Sequence, residues 1–70
     1  MDSEMSLQKR WVAFGPIGAV GSIQQEDDGF AVRMVGEDEP RGIYPTMDAA
    51  KGAVHQFMPP GSERPEFREH

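Results

Sequence analysis

Apolar residues alternate at period two in the run from Phe30 to Met34, and the pattern changes from strand-like to helical period at Pro45. Phe30, Val32 and Met34 fall on one face of an extended run, while Arg33 points away with Ala31 and Val35 beside it. Ahead of that run, Trp11 to Phe14 is a short aromatic and β-branched segment. Gly15-Pro16-Ile17-Gly18 interrupts it with residues that bend or bulge a strand, and extended sequence resumes from Ala19 to Gln25. Glu26-Asp27-Asp28-Gly29 is the strongest turn signal, because Asp-Gly between two extended runs suits hairpins that need positive φ. Gly36 to Pro40 makes a second turn, and Arg41 to Tyr44 a further strand. Pro45 then biases Tyr44 away from the α region, and Thr46 offers its hydroxyl to a helix with Asp48 in its first turn. From there the apolar positions are 47, 50, 54, 57 and 58, until Pro59-Pro60-Gly61 stops the helix.

These patterns predict an α+β fold, an antiparallel β-meander of three to four strands packed against one C-terminal helix. Strands are expected near 10–14, 19–25, 30–35 and 41–44, and a helix near 47–57. The domain spans 9–58, between a flexible N-terminal segment at 1–8 and an extended charged tail at 59–70. Val20, Phe30, Val32, Met34, Ile43, Ala50, Val54 and Phe57 are the expected core. Gly52, costly by about 1 kcal/mol relative to alanine in a helix this short, predicts a close approach to the sheet.

Composition narrows the setting. A chain of 70 residues is one domain at most, and it buries only about 60% of its unfolded surface, enough for one thin core. With no cysteine, disulfides, thiolate metal sites and cysteine nucleophiles are excluded, which leans towards a reducing, cytoplasmic setting. The longest uncharged stretch, Trp11 to Gln25, is broken by Gly15, Pro16, Gly18 and Gly21, so neither a signal peptide nor a membrane span is expected. Glu26, Asp27, Asp28, Glu37, Asp38 and Glu39 outweigh Arg33 within residues 26–40, a segment that accounts for the whole net charge of −5. That field disfavours nucleic acid and anionic membranes.

Candidate chemistry is sparse. Gly15, Gly18 and Gly21 have a GxxGxxG spacing, but Pro16 removes a donor and the glycines lie inside strand-like sequence, where a phosphate loop would open a helix. The two acidic triplets belong to successive turns at opposite ends of a meander, so they do not converge on a cation. His55 and His70 are too few and too far apart for a metal site, and Lys51 is a poor acid–base partner for His55, which reads as an exposed helix residue. Ser22, Thr46 and Ser62 lack a base. No catalytic residue, metal or cofactor is expected.

Two binding surfaces can be drawn. A protein partner would meet Ala31, Arg33 and Val35 on the sheet face away from the helix, with Trp11, Arg41 and Tyr44 at the rim and Phe67 of the tail extending it. Alternatively, Lys9, Arg10, Arg33 and Arg41 would meet phosphates while Trp11 or Tyr44 stacks on bases. The acidic balance favours the first, a noncatalytic module acting as a monomer or weak homodimer.

The phrases Trp11-Val12-Ala13-Phe14-Gly15-Pro16-Ile17-Gly18, Tyr44-Pro45-Thr46, Ala50-Lys51-Gly52-Ala53 and Pro65-Glu66-Phe67-Arg68-Glu69-His70 are similar to those of short uncharacterised proteins of actinomycete bacteria. In topology, Trp11 to Met58 resembles small domains with three strands followed by one helix, among them the arm-binding domain of some integrases. That resemblance implies a fold and no activity, and from the acidic balance a basic sheet face like that of the integrase domains is not expected.

Overall fold

Two tight hairpins begin the chain's path, and a computed structural model describes it over residues 9–70. The flexible segment expected at 1–8 lies outside the described residues. β1 (Arg10–Gly15) turns through Pro16 and Ile17 into β2 (Gly18–Glu26), so the Gly-Pro interruption divides the first extended run into two strands. Asp27 and Asp28 lead into β3 (Gly29–Met34), where Gly29 adopts φ 147°. An added Cβ there would collide with the Tyr44 carbonyl oxygen, so the turn admits only glycine. β4 (Gly42–Tyr44) completes the meander, and α1 (Met47–Phe57) follows with the Thr46 hydroxyl accepting the Ala49 N–H at 3.1 Å.

The helix is not the last element. Residues 59–70, expected as an extended charged tail, carry a fifth strand, β5 (Glu66–Glu69). The connection is tied down as it leaves the helix. Ser62 donates its hydroxyl to the Pro59 carbonyl at 2.7 Å, and the His55 ring donates from Nε2 to the Ser62 carbonyl at 2.7 Å. His55 is therefore half-buried, against the expectation of an exposed helix residue. β5 pairs antiparallel with β1, Phe67 opposite Ala13 and Arg68 opposite Val12, and the His70 N–H closes the ladder on the Arg10 carbonyl at 2.7 Å. The sheet order is β4-β3-β2-β1-β5, antiparallel at every pairing.

One face of this sheet lies under α1. Ala13, Ile23, Val32, Met34, Ala50, Ala53, Val54 and Met58 form the buried cluster, and Val20, Phe30 and Phe57 pack half-buried at its margin. Two expectations change here. Ile43 pairs with Ala31, on the face opposite Phe30 and Tyr44, and is 48% exposed; Ile23, opposite Trp11 and Val32, is fully buried. A bulge in β2 lets Val20 and Ile23 both face the core. Ala13 pairs with Gly21 but Phe14 with Ala19, leaving Val20 as the extra residue and bringing it onto the core. Gly52 makes no close approach, since a Cβ added there meets open space. Within the sheet, Gly21 is needed for packing against β3, since a Cβ there would lie 2.9 Å from the Arg33 carbonyl oxygen.

Candidate functional site

The sheet face away from α1 is uncovered among the described residues, and strand alternation fixes what it presents. One row runs Arg68, Val12, Ser22, Arg33 across β5, β1, β2 and β3. The next runs Arg10, Gln24, Ala31, Ile43 across β1 to β4. Phe14 lies beyond Val12, opposite Glu66, with the Arg68 guanidinium 5.4 Å from its ring centre. Val35 follows β3, 63% exposed, anchored by its N–H to the Val20 carbonyl at 3.0 Å. Ala31 is buried by its larger neighbours on this face and takes no part in the core cluster.

The residues expected to form one surface divide between the two sides. Ala31, Arg33 and Val35 come together on the open face. Trp11, Tyr44 and Phe67 stand in register with Ile23, Phe30 and Ala13 and pack on the helix side of the sheet. Trp11 sits 6.2 Å from the Phe30 ring, centre to centre, and the Lys51 ammonium 5.4 Å from the centre of Phe67. Arg41 braces the loop before β4. It donates from Nε and Nη2 to the Glu37 carboxylate at 3.0 and 2.6 Å, and its guanidinium lies 4.7 Å from the Phe57 ring centre. That hydrogen bond holds the Glu37 carboxyl below its ordinary pKa range and raises that of Arg41.

Val12, Phe14, Ser22, Ile43 and Arg68 join the open face without having been expected there. Alternation along β1 and β2 carries the signal for Val12 and Ser22 once the hairpin is recognised; Arg68 needs β5. Electrostatically the face departs from the chain as a whole. Arg10, Arg33 and Arg68 lie on it, and Arg33 and Arg68, three strands apart, are separated by about 14 Å of sheet. The acidic turns flank it: Glu26 to Asp28 end β2, and Glu37 to Glu39 follow β3.

No His, Asp or Glu side chains gather in threes to hold a metal ion among the described residues, and no helix of theirs is long and apolar enough to cross a membrane. Comparison of the chain with protein-family models, with curated proteins and with solved structures gave no match.

Proposed function

We propose that this chain is a small, noncatalytic, cytoplasmic interaction module that binds a protein partner through the open face of its sheet, acting as a monomer or weak homodimer. One observation carries the reading: α1 covers a single face, and the other mixes exposed apolar side chains, Val35 and Ile43, with Arg10, Arg33 and Arg68. Arginine beside apolar surface is the usual make-up of a protein contact, since its stem packs while its fork bonds. Nucleic acid is less well served, because Trp11 and Tyr44 pack on the helix side of the sheet and are not available to stack on bases from this face.

The test is capture from an extract of the source cell at about 150 mM salt, where exposed charges more than about 8 Å apart are largely screened. The intact chain and Arg64→Ala, altered in an exposed loop, should retain the same protein. Arg33→Glu and Ile43→Asp should lose it while remaining folded, with an unfolding midpoint lowered by no more than about 1 M. Truncation at Met58 is unsuitable, because it deletes β5 and bares the edge of β1. Tight, saturable binding to duplex DNA that disappears in Arg33→Ala would overturn the reading.

A further inference from the structure

The register sets Ser22 directly between Arg33 on β3 and Val12 on β1, with Arg10 two residues before Val12. Two adjoining hollows open over this point, of about 190 and 80 Å³, and Arg10, Ser22 and Arg33 line both. Val12 and Val35 supply apolar wall to the larger hollow and Ala31 to the smaller. We propose that Arg10, Ser22 and Arg33 form a carboxylate-binding site that receives an aspartate or glutamate side chain from an acidic, otherwise apolar segment of the protein partner. This rests on reading the open face as the partner surface.

Charge and geometry both favour such an occupant. Two guanidinium forks on either side of a hydroxyl can donate to both oxygens of one carboxylate, and Ser22 adds a third donor between them. Among the described residues, the ion pairs engage Lys9, Arg41 and Arg68 and leave Arg10 and Arg33 without a carboxylate partner. Glu37 borders the larger hollow, but its oxygens are taken by Arg41; Glu26 borders the smaller. These rim carboxylates repel a continuous row of phosphates and spare a single acidic side chain flanked by apolar ones. Binding through phosphate contacts weakens steeply as salt rises, and the three arginines of this face offer few such contacts to begin with.

The test uses the ¹⁵N-labelled chain and three probes: a blocked extended peptide with one glutamate flanked by valines, its glutamine counterpart, and inorganic phosphate. The glutamate peptide should shift the Nε–Hε signals of Arg10 and Arg33 and the Ser22 amide to saturation, binding about tenfold tighter than the glutamine peptide. Arg10→Gln and Arg33→Gln should each lose about that factor, and Arg64→Gln should lose none. Equal affinity of both peptides at these signals would overturn the carboxylate site and leave the open-face reading standing. Shifts confined to α1 with both peptides would overturn the two together. Phosphate shifting Arg10 and Arg33 more strongly than the glutamate peptide, or no shift there with that peptide, would also overturn the site.

Discussion

Ile23 and Ile43 place the same side chain in opposite settings, buried core and open face, and truncating each to alanine turns the strand register into a measurable difference. Ile23 is fully buried in the cluster that contains Val32 and Val54, and Ile43 is 48% exposed on the open face. Removing three carbon groups beyond Cβ at about 0.8 kcal/mol each costs Ile23→Ala about 2.4 kcal/mol of transfer free energy. The cavity left under the helix raises this to about 3–4 kcal/mol. A chain of 70 residues has roughly 4–10 kcal/mol in all, so a third or more of its stability is removed. Ile43→Ala should cost less than about 1 kcal/mol, through partial exposure and strand propensity alone. Urea unfolding followed by the fluorescence of Trp11 reads both, because that ring packs at the core margin beside Phe30. With a urea slope of about 1 kcal/mol/M, the midpoint should fall by about 3 M in Ile23→Ala and by under about 1 M in Ile43→Ala. Equal falls, or a larger one for Ile43→Ala, would refute the register that pairs Ile23 with Val32 and Ile43 with Ala31.

Gly29→Ala forces a Cβ into the Tyr44 carbonyl oxygen at φ 147°, and should cost more than the 1–3 kcal/mol roughly expected of backbone strain alone; a thermal midpoint equal to the parent's would refute the turn geometry. Gly52→Ala meets open space in α1 and should stabilise the chain by about 0.5–1 kcal/mol; a loss of stability would restore the close approach to the sheet. The folded-state pKa of Glu37 is lowered, so its pairing with Arg41 contributes stability above the ordinary carboxylate range and loses it as pH falls through the lowered value. A carboxyl-carbon titration should show that low midpoint rising in Arg41→Gln; an unchanged midpoint would show that the bond does not form.

Turn chemistry and period made most of the fold legible in sequence. Asp28-Gly29, the Gly-Pro segment, and the Pro45-Thr46 join mark the ends of their elements through local conformational preference, which needs no knowledge of distant partners. The fifth strand is different. Phe67 is the one apolar side chain between Pro65 and His70, so no alternation announces a strand, and its partner β1 lies at the far end of the chain. Ile43 was hidden for a related reason: β4 has three residues, too few for a period to show which side faces the core. Arg33, Ala31 and Val35 could be placed on the open face from the alternation of β3 itself. Trp11, Tyr44 and Phe67 could not, because their side of the sheet depends on pairing with Ile23, Phe30 and Ala13.

The most direct test of the open face as the partner surface is an amide map of the ¹⁵N-labelled chain against the protein it retains from extract. Shifts and broadening should concentrate at Val12, Ser22, Ala31, Arg33 and Ile43, which share that face, and should leave the exposed helix residues Asp48, Ala49 and Gln56 unchanged. Perturbation centred on those helix residues, with Ser22 and Arg33 unmoved, would contradict the account.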